Sequence, residues 1–260
     1  MAARKLKIKT ALHESNSFPG KAVEMLAKKV DVVLVGFEDA KNRLPEKSNI
    51  VVTGTPTKIK ENKNINKEKI CKEMKLNPNL PIVLIFGGSQ GAKAINESLI
   101  GMIIDKKIKK YQIIWAAGPT QFDEIKQKLS QEHIKIANLK NERIVPYIYN
   151  MEEMMNLCDL VIARSGAMTI NEISSVGKPA IFIPLPNVSQ NHQEYNAKVL
   201  EKVGAAKIIL DKDLSSTLLS QTVENMLKNK EELQKMGQKA KSIEIKNVED
   251  KIYKEILKIL

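Results

Sequence analysis

From about residue 67 onward, short apolar runs alternate with helical patterns, and this alternation constrains the fold more than any other feature of the chain. The apolar runs fall at residues 82–86, 112–116, 134–136, 160–163, 180–183 and 207–209, with a short extended piece at 143–148. Between them lie helix-period segments at 67–75, 92–104, 121–129, 151–157, 168–176, 192–203 and 215–227. Strands that alternate with helices of this length predict βαβ units and a parallel sheet. The central runs carry almost no charge, as strands buried on both faces do. The sequence therefore predicts an α/β fold. Two more helical patterns, 230–242 and 248–260, close the chain.

The first quarter follows the same logic less regularly. A strand is expected over 7–12, ending at His13-Glu14-Ser15-Asn16, with a short helix opening at Pro19 and reaching about Lys28. Strands follow at 31–35 and 50–52. The stretch 58–67 is rich in Asn and Lys and lacks an apolar period, so it reads as a linker.

In a parallel sheet of this type ligands bind beyond the carboxyl ends of the strands, which turns the strand-end loops into a candidate site. Phe86 to Asn96 reads FGGSQGAKAIN: strand, glycine turn, helix. Glycines admit close approach of a ligand to the backbone, and the free N–H groups of the helix start favour an anion. Ser89 adds a hydroxyl at the mouth of this turn. The motif is neither a GxGxxG fingerprint nor a P-loop, and a tight turn without a ligand fits it equally well. The second stretch is Arg164-Ser165-Gly166-Ala167-Met168-Thr169-Ile170-Asn171-Glu172. Its helix start and the Thr169 hydroxyl suit a diphosphate. Glu172, on the same helix face as Met168 and Thr169, suits the two hydroxyls of a ribose. An ordinary helix start is the alternative. The third stretch, from Pro184 to Gln193, pins a polar loop between prolines and ends at His192, Gln193 and Asn196, whose amides and imidazole match neutral hydroxyls such as a sugar's. A capping or surface role for His192 competes with this. No Ser-His-Asp arrangement and no metal-ligand spacing stands out, and no cofactor is expected.

Composition narrows the partners. The formal net charge is +12, yet aromatic residues are only 4% of the chain and no nucleic-acid-binding motif occurs, so nucleic acid is not an expected partner. A lysine-rich solvated surface is the plainest reading, and attraction to anionic lipid head groups is the next. No apolar run approaches the ~18–20 residues of a membrane span, and the basic start lacks the apolar core of a signal peptide. Cys71 and Cys158 stand far apart in helical patterns and read as reduced packing residues.

Taken together and in order, FGGSQGAKAIN, ARSGAMTINEISSVGKPAIFIPLP and NHQEYNAKVLEKVGAA resemble the MurG family, and HESNSFPG is similar to that family's HEQN loop. Members transfer N-acetylglucosamine from UDP-GlcNAc to undecaprenyl-diphospho-MurNAc-pentapeptide, the lipid I to lipid II step of peptidoglycan synthesis, as peripheral proteins at the cytoplasmic face of the membrane. The resemblance implies a GT-B fold. A partial N-terminal Rossmann-like domain would span 1–58, a complete UDP-GlcNAc-binding domain 59–246, and a C-terminal helix, 247–260, would return to the first domain. It also implies roles residue by residue. Ser89 and Ala167, Met168 and Thr169 would face the phosphates, and Glu172 the ribose. Ile148 would meet uracil through its main chain, with Tyr147 packing on the ring. His192 and Gln193 would read the GlcNAc hydroxyls, and Asn16 would reach in from the first domain. Lys58 stands where the family has arginine, keeping the charge but not the planar fork. The family's glycine-rich loop, which carries a candidate catalytic base, has no counterpart here, so the catalytic group stays unassigned. His13 matches a different motif. The expected partners are UDP-GlcNAc, the undecaprenyl-linked acceptor at the membrane surface and a separate N-terminal half. The alternatives to a transferase are a donor-binding subunit or fragment inactive without that half, and a GT-B lipid glycosyltransferase with another acceptor.

Overall fold

A computed structural model describes residues 2–88, 91–105 and 110–260. Two parallel sheets organise the chain. After a short helix α1 (Ala2–Lys5), the first sheet is built from β1 (Ala11–Glu14), β2 (Val32–Val35) and β3 (Ile50–Val52), in the order β1-β2-β3. Helices α2 (Lys21–Leu26) and α3 (Glu38–Lys41) make its crossovers. Ala27, Val33, Val35, Ala40 and Leu44 form its small core.

The second lobe begins with α4 (Lys67–Glu73) and β4 (Ile82–Phe86), followed by α5 (Lys93–Ile104), β5 (Gln112–Ala116), α6 (Phe122–Gln131) and β6 (Glu142–Val145). Then come α7 (Met151–Leu157), β7 (Leu160–Ala163), α8 (Ala167–Val176), β8 (Ala180–Phe182), α9 (His192–Lys202) and β9 (Ala206–Ile208). Helices α10 (Ser216–Lys228), α11 (Lys230–Ser242) and α12 (Val248–Ile259) finish the chain. The sheet order is β6-β5-β4-β7-β8-β9, with every neighbouring pair parallel. Side-chain alternation divides the core in two. Along β4, Ile82, Leu84 and Phe86 enter one cluster, while Val83 and Ile85 enter the other. Burial on both faces is what a βαβ sheet requires, and it is why these strands lack charge.

The strand expected at 134–136 does not form. His133 takes a left-handed φ of 59° as it ends α6, and Ile136–Asn138 is a single 3-10 turn. The partner of β5 is Glu142–Val145, which overlaps the extended piece expected at 143–148; it is an edge strand, where charged residues are tolerated. At the other end, Lys7 has a φ of 57° after α1, so the first strand starts at Ala11 rather than Lys7.

The stretch read as a linker is fastened to the second lobe. The Ser175 hydroxyl donates to the Ile59 carbonyl at 2.6 Å. Asn156 donates to the Lys60 carbonyl at 2.9 Å and accepts from the Asn62 N–H at 2.8 Å. Lys241 pairs with Glu61 at 3.4 Å. Residues 57–61 run beside 244–250, and together they line one open groove. Helix α12 packs against β2 of the first lobe. At Gly54, which has a φ of +85°, a Cβ would stand 2.8 Å from Val248 Cγ2, so only glycine fits this crossing without displacement.

Candidate functional site

The chain order of the second sheet reverses at β4. Strands β5 and β6 lie on one side of it, and β7, β8 and β9 on the other. Such a switch point opens a crevice between adjacent loops that leave in opposite directions. A cleft of about 530 Å³ occupies this position. Gly87 and Gly88 line it from the end of β4, Arg164 and Gly166 from the end of β7, Leu185 and Pro186 after β8, and Asp211 after β9. Thr169 and Gln193 complete the wall from α8 and α9, and Lys93 from the start of α5.

The local geometry of the glycine turn follows from its residues. Gly91 has a φ of +79°, and a Cβ there would lie 2.4 Å from the Ala117 carbonyl oxygen. That carbonyl also accepts from the buried Asn96 amide at 2.8 Å, while Asn96 accepts from the Trp115 indole at 2.9 Å. The turn is thereby held to the neighbouring βα loop. Gly88, with a φ of +86°, has open space where a Cβ would be. Both α5 and α8 present their N-terminal ends to the cleft through Lys93 and Gly166, so two sets of free N–H groups favour an anion there.

Arg164 organises the opposite wall. It is 9% exposed, and its Nη1 donates to the carbonyls of Ile183 at 2.9 Å and Pro184 at 3.1 Å and pairs with Asp211. The Leu185 N–H then donates to Gln193 Oε1 at 3.0 Å. The Ser165 hydroxyl donates to the Gln193 carbonyl at 2.8 Å. The proline loop is therefore tied both to β7 and to the start of α9.

Of the residues expected from sequence, the cleft brings together Thr169 and Gln193 with the glycine turn. Ala167 is buried beside it at the first turn of α8, and Met168 is exposed. Ser89 lies outside the described residues. Glu172, one turn further along α8, and His192, at the start of α9, stand outside the cleft lining. Glu172 is partly buried, and burial pushes its carboxyl up to about 7. Its carboxylate has no hydrogen-bond partner among the described residues. Ile148 is buried beyond β6, next to Tyr147, whose ring meets Tyr149 edge-on at 5.0 Å between centroids. Lys58 is exposed in the strap between the lobes. Asn16 sits in the first lobe, where its amide donates to Glu14 Oε1 at 3.0 Å and accepts from Asn196 at 3.0 Å. Asn196, grouped with His192 and Gln193 as a match for sugar hydroxyls, is instead fully buried and bonded within the protein. The structure adds Arg164, Asp211 and Lys93 to the site. Arg164 was visible in the second motif, but Asp211 has no local signal.

Residues 82–252 match the glycosyltransferase family 28 C-terminal domain. A relative from Acetivibrio thermocellus, named UDP-N-acetylglucosamine--N-acetylmuramyl-(pentapeptide) pyrophosphoryl-undecaprenol N-acetylglucosamine transferase, is 38% identical over 98% of this chain and 68% of its own length. The chain belongs to the MurG family. A MurG relative of the same name from Lactobacillus helveticus is 39% identical over 97% of this chain and 68% of its own. The crystal structure of Acinetobacter baumannii MurG superposes with a TM-score of 0.78 at 29% identity, over 99% of this chain and 69% of that one. The chain thus spans about two thirds of these MurG proteins. The family's C-terminal domain contains every residue of the cleft.

Proposed function

We propose that the cleft holds the diphosphate and sugar of UDP-GlcNAc, and that the protein transfers GlcNAc to undecaprenyl-diphospho-MurNAc-pentapeptide. The carrying observation is the convergence of the glycine turn, Gly166, Thr169 and Gln193 at the switch point of a family 28 domain. The diphosphate lies across the two helix starts, with Thr169 donating to it. As the bond from the anomeric carbon to the diphosphate breaks, negative charge grows on the leaving UDP, and fixed N–H groups stabilise it without reorganising. Gln193 and His192 read the sugar hydroxyls. Ribose lies against Glu172, whose carboxylate accepts from its hydroxyls, and uracil meets the Ile148 main chain beside Tyr147. Asn16 approaches the sugar from the first lobe, and Lys58 stays near the lobe junction.

The same reading places the protein on the cytoplasmic face of the membrane as a peripheral enzyme. No helix among the described residues is long and apolar enough to cross a bilayer. Exposed Leu6, Ile8 and Met25 stand among the lysines of the first lobe, a combination suited to anionic lipid surfaces.

The test is titration with UDP-GlcNAc followed by a transfer assay on a lipid I analogue, with and without an added N-terminal segment that carries a glycine-rich loop. Donor binding with transfer in either arm supports the reading. Absence of UDP-GlcNAc binding overturns it. Transfer only in the second arm assigns the acceptor chemistry to a separate N-terminal half.

A further inference from the structure

The side chain of Asn196 uses every hydrogen-bonding position it has, and it uses them across the lobe boundary. Its Oδ1 accepts from the Ser17 N–H at 2.8 Å and from the Ser17 hydroxyl at 3.1 Å. Its Nδ2 donates to Asn16 Oδ1 at 3.0 Å and to the Ser165 carbonyl at 3.2 Å. A main-chain N–H fixes which end of the amide is oxygen, and a main-chain carbonyl fixes which end is nitrogen, so the orientation has no alternative. The residue is 0% exposed.

These bonds form one directed chain. Asn196 fixes Asn16 Oδ1, which turns the Asn16 amide nitrogen toward Glu14 Oε1 at 3.0 Å, and Glu14 Oε2 accepts from the Gly20 N–H at 2.8 Å. On the other side, Ser165 receives Asn196 at its carbonyl and holds the Gln193 carbonyl with its hydroxyl. Gln193 and Asn196 are one turn apart on α9, so the cleft wall and the lobe contact ride on the same rigid element. Around this centre, Tyr195 stacks on Phe18 at 4.6 Å with Arg43 over both rings, and Lys202 pairs with Asp39 at 3.1 Å.

We infer that Asn196 is a positioning residue that couples lobe closure to sugar recognition, holding Asn16 and Gln193 in register for the hexose of the donor. It touches no substrate itself. The inference rests on the cleft being the UDP-GlcNAc site. It predicts that Asn196 affects the affinity gained from the sugar and leaves the nucleotide part unchanged. Two of the four bonds hold Ser17 and one each holds Asn16 and Ser165, whereas uracil and ribose are assigned to Ile148 and Glu172.

The test is calorimetric titration of wild type, Asn196→Ala and Asn196→Asp with UDP and separately with UDP-GlcNAc. The aspartate keeps the acceptor side toward Ser17 and loses both donations. Both variants are expected to bind UDP as wild type does and to lose about tenfold of the ratio between UDP-GlcNAc and UDP affinity, equivalent to ~1.4 kcal/mol. The Asn16→Ala/Asn196→Ala pair should be non-additive in that ratio. Equal losses for both ligands would mean a purely structural role, and no loss would mean no coupling; either overturns the inference. Should the Asn196 variants fail to fold, Ser17→Ala carries the test, with about a threefold loss of the ratio, and an unchanged ratio overturns the proposal. Failure of wild-type protein to bind UDP at all would reject the functional reading instead.

Discussion

Arg164 and Asp211 pair across the wall of the cleft, joining the loop after β7 to the loop after β9. The guanidinium also holds two carbonyls just beyond the strand between them, so one side chain fixes three successive strand ends. Arg164→Ala leaves a half-buried carboxylate and two buried carbonyls without their donor. A destabilisation of about 3 kcal/mol is expected from removing one member of such a pair, measured by urea unfolding. All three bonds leave Nη1, so Arg164→Lys, which keeps the charge and carries its donors on one nitrogen at the end of a shorter side chain, should recover part of the loss. Unchanged unfolding midpoints in both would show that the loop stands without the arginine.

Glu172→Ala should weaken UDP binding roughly tenfold, the loss of a charge-assisted hydrogen bond to the ribose. The comparison ligand is a diphosphate without the nucleoside, whose affinity should not move. If titration calorimetry gives the same UDP affinity for variant and wild type, ribose does not lie against this carboxylate.

The same carboxyl makes stability depend on pH. Burial raises it from an ordinary 4.5 to about 7 in the folded protein. The folded state therefore holds the proton more tightly than the unfolded chain, and stability falls as pH rises from 4.5 toward 7. Relative to Glu172→Gln, the unliganded wild type should lose melting temperature between pH 5 and pH 8. Bound UDP-GlcNAc, whose ribose favours the ionised form, should release a fraction of a proton near pH 6. Parallel melting curves for the two proteins across this range would refute the assignment.

Uracil recognition through the main chain gives an asymmetric pair of variants. Ile148→Val trims a buried side chain and should leave UDP affinity nearly unchanged. Ile148→Pro removes the N–H and should weaken it strongly. With folding confirmed by circular dichroism, equal affinities would place the base elsewhere.

Much of the second lobe was legible because its strands are buried on both faces, and burial excludes charge from runs such as Ile82–Phe86 and Leu160–Ala163. The exception, β6, is an edge strand that carries Glu142 and Arg143, while the more strand-like Ile134 and Ile136 follow a residue with positive φ. An apolar period cannot distinguish these cases. The glycine turn, Thr169 and Gln193 were legible because strand ends in a parallel sheet converge. Asp211 was not, since its partner is 47 positions away and nothing local marks it. Asn196 was misread for a related reason: an amide at a helix start suits a sugar, but only the fold shows that Ser17 and Asn16 already occupy it. The strap at 58–67 looked unstructured because its order comes from partners such as Ser175 and Asn156 in distant helices.

The side-by-side passage of residues 57–61 and 244–250 has a mechanical consequence. Two tethers fixed next to each other resist twisting of one lobe against the other far better than a single strand of chain does. The motion that such a pair opposes least is a swing about the line that joins the tethers. Such a swing would change the gap between Asn16 and Asn196 in one dimension, so lobes that parted along it would meet again in the same register.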